Sequence, residues 1–285
     1  MNKIKKLRKI FINKNLDGYI IPKNDEFFGE YVPELNDNLK FISNFTGSFG
    51  FALILKNENY LFVDGRYTLQ AKIQCGKIFK IITVPKKNPS DILKNKKFSI
   101  GFDPKLHTEP MFKHFFKNSK CKLIPLKENL INQIWLRKNK KKSNKFYKIS
   151  NKNAGENSKS KIRKLSSILK KNKVNVHFVS ASENVAWLLN LRGSDSKFAP
   201  IPHSYAIIND QNKVYLFCDL KKISKKLKNS LLGVKIIDIK KIKKFLLKIK
   251  NKIVQLDANS CSVFFKNIIK ENNIIISKQD PVYFL

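Results

Sequence analysis

The sequence contains little arginine for so basic a chain, and this scarcity narrows the possible functions. Arginine accounts for five of the 58 basic residues, while the formal net charge is +37. Specific recognition of bases and phosphates favours arginine, because its planar fork binds two acceptors at once. Abundant lysine with abundant Asn and Ile is typical of drift toward adenine- and thymine-rich codons. A nucleic-acid partner is therefore disfavoured, and the charge is interpreted as lysines on solvated faces.

Several other features are absent. The four cysteines, Cys75, Cys121, Cys218 and Cys261, form no C-x-x-C motif, which excludes a zinc ribbon and a dithiol redox motif. No apolar run approaches the roughly 18 residues of a membrane-spanning helix. Polar residues 13–15 interrupt the basic N-terminus, which therefore does not resemble a signal peptide. We accordingly expect a cytoplasmic protein with reduced thiols and no membrane segment.

The segments that are present occur twice in the same order. Four pairs of segments correspond: residues 7–26 and 162–183, 41–48 and 187–194, 51–67 and 205–222, and 98–115 and 252–269. Each copy predicts the order helix, strand, helix, hairpin, helix, strand, helix, strand, helix, strand. Alternating strands and helices favour a sheet covered by helices, and the hairpin makes that sheet mixed. We therefore predict an α/β fold of two tandem, internally duplicated domains, each a mixed sheet flanked by helices.

The predicted domain limits follow from a run of basic residues between the copies. Residues 137–153 hold eight basic residues and no acid. Like charges repel one another and extend a segment, so residues 137–155 are predicted to be a basic linker. The first domain is then expected over residues 1–136 and the second over residues 156–285.

The longest motifs resemble one family. They are DEFFGEYVPE (25–34), FISNFTGSFG (41–50), FVDGRYTLQA (62–71) and WLLNLRGSD (187–195). Together they resemble the N-terminal and middle domains, of creatinase N-terminal type, of the three-domain Xaa-Pro aminopeptidases (the aminopeptidase P family). The similarity runs from near residue 5 to the end of the sequence. It implies two similar α/β domains, in agreement with the duplication.

The resemblance also implies an activity for the intact family enzyme. Members remove an N-terminal residue that precedes proline. They use two divalent ions, commonly manganese, which two Asp, one His and two Glu bind in a third, C-terminal domain of pita-bread fold. A metal-activated water attacks the scissile carbonyl. No residue of this sequence aligns with any of the five ligands, so we expect no catalytic residue, no metal ligand and no cofactor within it.

The remaining candidate residues are predicted to make contacts rather than to perform chemistry. Arg66, Arg192 and Asp195 are candidates for contact with another domain or subunit. Asp64 is placed to cap a helix, and Arg66 has the alternative of an ion pair within its own domain. His107 and His114 lie seven residues apart, with no surrounding ligand set, and a surface or capping role is expected for them.

An acidic cluster stands out in this basic sequence. Its members lie between residues 25 and 37: Asp25, Glu26, Glu30, Glu34 and Asp37. The resembled family often carries a His where Phe27 stands, which argues against an exposed polar role for this loop.

The leading hypothesis is a non-catalytic, truncated portion of a cytoplasmic Xaa-Pro aminopeptidase that shapes access to the active site and makes subunit contacts. Its expected partner is a missing or separately encoded catalytic domain, with a homodimer as a further possibility. Peptide substrates would be met only through the intact enzyme. A stand-alone binding or scaffold module that works with a separate peptidase chain is the alternative. Charge-driven nucleic-acid binding is a minor third hypothesis, which predicts a steep salt dependence.

Overall fold

The computed structural model describes residues 3–137 and 144–285. The chain divides into two compact units. Unit 1 comprises Met1–Glu26 and Val32–Lys140, and unit 2 comprises Phe27–Tyr31 and Lys141–Leu285. The short segment Phe27–Tyr31, although it comes from the first half of the sequence, therefore belongs to unit 2.

Unit 1 follows the predicted order of elements. Its helices and strands are α1 (Lys3–Ile12), β1 (Gly18–Pro22), α2 (Asn38–Ser43), β2 (Phe51–Leu55), β3 (Asn59–Val63), α3 (Thr68–Cys75), β4 (Lys80–Thr83), α4 (Pro89–Ile92), β5 (Ser99–Phe102), α5 (Glu109–Phe115) and β6 (Lys122–Pro125). The sheet has the order β4-β3-β2-β1-β5-β6. Strand β1 is antiparallel to β2 and parallel to β5, so the direction changes at β1.

Burial explains why these segments form these elements. Helix α1 buries Ile4, Leu7 and Phe11 on one face and presents its lysines to solvent, as expected of an amphipathic helix. Every residue of β1 and β2 is buried. Central strands that are covered on both faces are apolar along their whole length rather than alternating.

Unit 2 repeats this architecture. Its elements are β7 (Tyr147–Lys148), α6 (Asn151–Ala154), α7 (Ser158–Lys171), β8 (Val176–Val179), α8 (Ser182–Leu189), β9 (Leu191–Arg192), β10 (Tyr205–Asn209), β11 (Val214–Cys218), α9 (Lys225–Ser230), β12 (Val234–Asp238), α10 (Ile242–Leu246), β13 (Ile253–Leu256), α11 (Val263–Lys270) and β14 (Ile274–Ser277). The main sheet has the order β12-β11-β10-β8-β13-β14, which is the order of unit 1 with equivalent strands. The predicted fold of two duplicated mixed sheets flanked by helices is confirmed.

The duplication extends to individual hydrogen bonds. The side chain of Asp17, just before β1, accepts the backbone N–H of Ser99 at 2.9 Å. Asn175, just before β8, accepts the backbone N–H of Ile253 at 2.9 Å. In each unit this bond fixes the start of the parallel pair at the centre of the sheet, β1 with β5 or β8 with β13.

The repeated Asn and Gly positions also have a structural cause. Asn44 and Asn190 end α2 and α8 in the left-handed conformation, with φ of 66° and 53°. Asn tolerates this conformation better than most residues do, and it is common where helices end. Three residues further on, a Cβ at Gly47 would lie 2.3 Å from Phe45 Cζ, and one at Gly193 would lie 2.8 Å from Phe146 Cδ1. Both glycines are therefore required by close packing.

Residues 144–155 of the predicted linker include a buried aromatic side chain. Residues 138–143 lie outside the described residues. Phe146, however, is only 2 % exposed, and its N–H donates to Lys222 O at 2.8 Å. Burying one phenylalanine contributes about 1.5–3 kcal/mol, which outweighs repulsion between charges screened by salt. The charge pattern alone could not reveal this burial, and the limits 1–136 and 156–285 stay predictions.

The longest helix of the described residues is α7, with 14 residues. Over residues 3–137 and 144–285, none of the helices combines the length and the apolar character needed to cross a membrane.

Candidate functional site

Unit 1 contains a polar cleft of about 600 Å³ at one edge of its sheet. Residues that follow β1, β5 and β6 line it: Asp25 and Glu26; Asp103, Lys105 and Leu106; and Lys127, Glu128 and Asn129. These three strands are parallel neighbours, so their carboxyl ends meet at the same edge. In open α/β sheets this edge, near the strand where the direction changes, is the usual place for ligands.

Hydrogen bonds hold the floor of the cleft. The Tyr19 hydroxyl donates to Asn129 Oδ1 at 3.3 Å and accepts the Leu130 N–H at 3.3 Å. Asn129 Oδ1 also accepts the N–H of Ile131 at 2.9 Å, which caps the short 3-10 helix after β6. Asp103 Oδ1 accepts the Lys105 N–H at 2.9 Å. The floor is thus tied to backbone groups at the ends of two strands.

The two acids that follow β1, Asp25 and Glu26, have different surroundings. Asp25 is only 4 % exposed and accepts a hydrogen bond from Asn36 Nδ2 at 3.1 Å. Burial raises the pKa of the neighbouring Glu26; Lys105 opposes this rise, whereas the negative charges of Asp25 and Asp103 add to it. Burial likewise raises the pKa of Asp103. Several carboxylates therefore share a poorly solvated space.

Arg137 forms part of the rim. Its Nε donates to Leu35 O at 2.7 Å, its Nη1 to Asn132 Oδ1 at 2.8 Å, and its Nη2 to Asn38 Oδ1 at 3.0 Å. The guanidinium also lies 4.3 Å from the ring centre of Trp135. These bonds fix the positive charge of Arg137 at the edge of the cleft.

Unit 2 has a buried His–Asp pair in the equivalent place. His177 stands second in β8, as Tyr19 stands second in β1, and Asp280 caps the last 3-10 helix as Asn129 does in unit 1. His177 Nε2 contacts Asp280 Oδ1 at 2.9 Å, and Asn184 Nδ2 donates to Asp280 Oδ2 at 2.8 Å. His177 and Asp280 are at most 1 % exposed.

The pKa of Asp280 is shifted in the opposite direction to those of Glu26 and Asp103 in the cleft of unit 1. Burial on its own would raise the pKa of Asp280, but the charge and hydrogen bond of His177, together with the hydrogen bonds from Asn184 and the Val282 N–H, lower it. The backbone N–H of Asp280 donates to Asp257 Oδ2 at 3.1 Å, so the carboxylate of Asp257 also accepts a backbone hydrogen bond.

Arg66 follows the alternative of an internal ion pair. Its Nη2 lies 2.7 Å from Asp64 Oδ2, and its side chain is 69 % exposed. Asp64 also accepts the Arg66 N–H at 2.9 Å and so caps the 3-10 helix Gly65–Tyr67. The exposed position leaves the contact role of Arg66 as a prediction.

Arg192 and Asp195 form hydrogen bonds within unit 2. Arg192 Nη1 donates to Ala186 O at 3.0 Å and to Leu191 O at 2.9 Å. Asp195 accepts the His203 N–H at 2.8 Å and forms an ion pair with Lys222. The structure therefore brings Asp195 and Lys222 together, while the proposed contacts of Arg192 and Asp195 with another domain or subunit stay predictions.

His107 is buried, whereas His114 is exposed. His107 is 0 % exposed, and its Nδ1–H donates to Asp103 O at 2.9 Å. Burial lowers its pKa to about 4, so it is neutral at pH 7. The seven-residue spacing of the two histidines could not predict this difference in burial. His107 lies before α5, whereas His114 lies within it.

Sequence reasoning singled out Asp25 and Glu26 but missed Asp103, Asn129 and Arg137. The available signal was the position of Asp103 directly after an apolar strand, since side chains at the carboxyl ends of parallel strands share an edge. The role of Arg137 depends on three distant acceptors and left no local signal.

Phe27 belongs to the short segment of the first half of the sequence that lies in unit 2. It is 7 % exposed within unit 2, where its ring stacks on His203 at 4.2 Å between ring centres and on Tyr205 at 5.1 Å. An apolar side chain suits this buried stack.

Comparison with known proteins defines the class. The model of the Creatinase/Prolidase N-terminal domain matches residues 3–134, and a second model of the same description matches residues 137–285. The chain belongs to the creatinase/prolidase N-terminal domain family, of which it contains two copies.

The more particular similarity is to the Xaa-Pro aminopeptidases P. The chain is 31 % identical over 230 residues to a probable Xaa-Pro aminopeptidase P of Coprinopsis cinerea. That match covers 76 % of this chain and 36 % of the relative. It is 32 % identical over 248 residues to Xaa-Pro aminopeptidase 1 of Dictyostelium discoideum, which covers 80 % and 39 %. The chain thus spans little more than a third of the length of these relatives, and the resemblance carried by the motifs is confirmed.

A solved structure shows the same fold. The X-prolyl aminopeptidase of Caenorhabditis elegans, described as a cytosolic enzyme with a di-nuclear active site, matches with a TM-score of 0.88 and 23 % identity. The match covers 97 % of this chain and 50 % of that one.

The donor set for such a metal centre does not fit the described residues. Residues 3–137 and 144–285 contain no group of three or more His, Cys, Asp or Glu side chains arranged to hold a metal ion. No step through a metal is therefore derived for them.

Proposed function

We propose that the two units are the non-catalytic N-terminal part of a cytoplasmic Xaa-Pro aminopeptidase. One observation carries this proposal: both units match N-terminal domain models, and the similarity to the relatives covers little more than a third of their length. The two divalent ions, commonly manganese in this family, would be held by a catalytic domain outside residues 1–285. The units would then shape the approach of peptides to that domain and contact other subunits.

Arg66 is the contact candidate that the geometry supports best. Its side chain is exposed, whereas Arg192 and Asp195 already hold backbone and side-chain groups of unit 2. A matched control is Lys56→Ala, since Lys56 forms a comparable exposed ion pair with Asp17 at 2.6 Å. We expect Arg66→Ala to weaken binding of the catalytic domain and Lys56→Ala to leave it unchanged.

The proposal is tested first on the gene. The genomic DNA after codon 285 should be sequenced in all three frames, and we expect two Asp, one His and two Glu in the order of the family. If they are absent there, a pull-down from the native cell should recover a separate metallopeptidase chain. Recovery of neither would contradict the proposal.

A second test uses the purified chain. Residues 1–285 alone should release no N-terminal residue from an Xaa-Pro peptide in manganese, and addition of the catalytic domain should produce release. Manganese-dependent release by the chain alone would overturn the non-catalytic assignment.

A further inference from the structure

His177 of unit 2 has an oxygen atom at each of its two ring nitrogens. Its Nδ1 lies 3.1 Å from Gln255 O, a backbone carbonyl that can only accept a hydrogen bond, and its Nε2 lies 2.9 Å from Asp280 Oδ1. Its strand partners, Ile208 in β10 and Gln255 in β13, carry no charge. The side chain is fully buried, so bulk water does not reach either nitrogen. A neutral imidazole has one N–H and satisfies both oxygens only if Asp280 carries a second proton.

The hydrogen bonds of Asp280 argue against a proton on its carboxyl group. Its Oδ1 accepts the Val282 N–H at 2.9 Å, and Asn184 Nδ2 donates to its Oδ2 at 2.8 Å. A carboxylate that accepts such bonds is stabilised in its ionised form. Burial opposes the ionisation of Asp280, yet the charge and hydrogen bonds of its partners leave its pKa lowered. An unprotonated Nε2 at 2.9 Å from this carboxylate would place two lone pairs against each other, which favours the second proton on the ring of His177.

The other titratable groups around this pair are two acids and a tyrosine. Glu183 in α8 and Tyr283 in the last 3-10 helix both feel the charge of Asp280, and burial raises the pKa of each. Asp257, which follows β13, accepts the backbone N–H of Asp280 at 3.1 Å. None of these three groups supplies a positive charge, so His177 is the basic side chain in contact with Asp280.

We propose that His177 is a buried imidazolium that anchors the segment 280–285 to the central strand β8, and that loss of its ring proton releases this segment. Asp280 caps the 3-10 helix Pro281–Phe284, and the side chain of Val282 is buried in the core of unit 2. His177 and the Val282 N–H share Asp280 Oδ1, so a ring without its second proton would repel the oxygen that caps the helix. This device lies within unit 2 and does not depend on the proposed membership of an aminopeptidase.

Unit 1 supplies a matched control in the same molecule. Asn129 Oδ1 accepts the Ile131 N–H at 2.9 Å, as Asp280 accepts the Val282 N–H. The strand partner of Asn129 is the Tyr19 hydroxyl, and burial raises the pKa of Tyr19, so this hydroxyl keeps its proton at neutral pH and well above it. The Ile131 N–H therefore reports on the same kind of cap without a titrating histidine.

The protonation of His177 is measured by ¹⁵N-NMR of its ring nitrogens in the full chain at pH 7. We expect both nitrogens to show the chemical shifts of N–H groups, and His177→Gln assigns these signals by removing them. In Asp280→Asn the amide can donate to Nε2, so the ring should then be neutral at pH 7. One unprotonated nitrogen in the unmodified chain, or a doubly protonated ring in Asp280→Asn, would overturn the proposal.

Amide hydrogen exchange tests the anchor. The protection of the Val282 N–H is its exchange rate relative to that of an unstructured peptide at the same pH, and it is compared with the protection of the Ile131 N–H. His177→Gln should lower the protection at Val282 by about tenfold, because Asp280 exchanges a charged hydrogen bond for a neutral one. The control is His114→Gln, which changes an exposed histidine and should leave both amides unaltered. Unchanged resonances of β10 and β11 show that unit 2 stays folded.

A pH titration of the unmodified chain tests the release without any substitution. From about pH 6 to about pH 9, the range in which histidines commonly titrate, the protection of Val282 should fall with the same midpoint as the loss of the ring proton from His177. The protection of Ile131 should show no such step. If the ring keeps both protons throughout, the protection of Val282 should stay constant as well. Either change without the other would overturn the proposal.

Discussion

The two units place different chemistry on the same backbone frame. In unit 1 a neutral pair, Tyr19 and Asn129, joins the central strand to the last 3-10 helix. In unit 2 the ionisable pair His177 and Asp280 occupies these positions. The neutral pair lies beside acids whose pKa values burial raises, Glu26 and Asp103, whereas His177 lowers the pKa of Asp280. The two units therefore share their topology, while the equivalent pair is neutral in unit 1 and a buried His–Asp pair in unit 2.

The largest loss of stability should come from removing one partner of the Tyr19–Asn129 pair or of the His177–Asp280 pair. We expect Asp280→Ala to lower the free energy of unfolding of unit 2 by about 3–5 kcal/mol, because His177 and Asn184 lose their buried partner. Asn129→Ala should cost unit 1 about 1–3 kcal/mol, since the hydrogen bonds of Asn129 with the Tyr19 hydroxyl, the Ile131 N–H and the Asp103 carboxyl are lost.

The chain carries its own reporters for this measurement. It has two tryptophans, Trp135 in unit 1 and Trp187 in unit 2. Urea unfolding followed by fluorescence in Trp135→Phe and Trp187→Phe backgrounds assigns each loss to one unit. Equal losses in both units would contradict the expected difference between the His177–Asp280 pair and the neutral Tyr19–Asn129 pair.

The second comparison concerns the lysine at the start of each repeat. Lys161 is 1 % exposed, and its Nζ donates to Trp187 O and Asn190 Oδ1, both at 2.9 Å. Lys3 donates to Phe41 O at 2.8 Å in the same way, but from an exposed position. Lys161→Met should cost about 1.5–3 kcal/mol, because two buried acceptors lose a charged donor.

Lys3→Met is the matched control. Solvent can replace its hydrogen bond, so the change should stay within about 0.5 kcal/mol. The same two tryptophan backgrounds measure both variants. A loss for Lys3→Met as large as that for Lys161→Met would show that burial does not decide the strength of this contact.

The third comparison is the sign of the pH dependence. Folding raises the pKa of Glu26, so this residue contributes to the stability of unit 1. The contribution is fully present below the pKa of the unfolded chain, about 4.3, and is lost as the pH rises through the pKa of the folded protein. The lowered pKa of Asp280 gives unit 2 stability that is present above about pH 3.9 and is lost as the pH falls through the folded value.

Two variants isolate these slopes. Glu26→Gln should flatten the decline of unit 1 stability above about pH 4.3, and Asp280→Asn should flatten the acid limb of unit 2. A tenfold difference in proton affinity between the folded and unfolded states corresponds to about 1.4 kcal/mol of stability. Urea midpoints measured from pH 2 to 8 with the two tryptophan reporters provide the check, and slopes of the same sign in both units would refute the comparison.

The order of helices and strands could be predicted because it depends on patterns within short segments of the sequence. The paired Asn44 and Asn190, which end helices, and the paired Gly47 and Gly193, which pack closely, were visible as a repeat in the sequence. Apolar runs and polar turns gave the order of helices and strands.

The candidate site was only partly predictable, because it is assembled from distant segments. Asp25 and Glu26 stood out as acids, but Asp103 joins them only when β1 and β5 pair. The burial of His107 and Phe146 depends on tertiary packing, which charge and spacing do not encode.

The smallest effect concerns the caps that precede α3 and α9. Asp64 accepts the backbone N–H of Arg66 at 2.9 Å, and Asp219 accepts that of Lys221 at 3.0 Å. Arg66→Ala and Lys221→Ala keep these N–H groups and remove only exposed charges, so each should cost less than about 1 kcal/mol.

Asp64→Ala and Asp219→Ala remove the cap itself and should cost about 1 kcal/mol. Urea unfolding of all four variants in the two tryptophan backgrounds compares cap with charge in both units. Asp64→Ala also removes the ion pair with Arg66, so if Arg66→Ala cost as much as Asp64→Ala, the ion pair rather than the cap would stabilise this turn. Since Lys221 lacks such a pair among the described contacts, Lys221→Ala would still cost less than Asp219→Ala in unit 2.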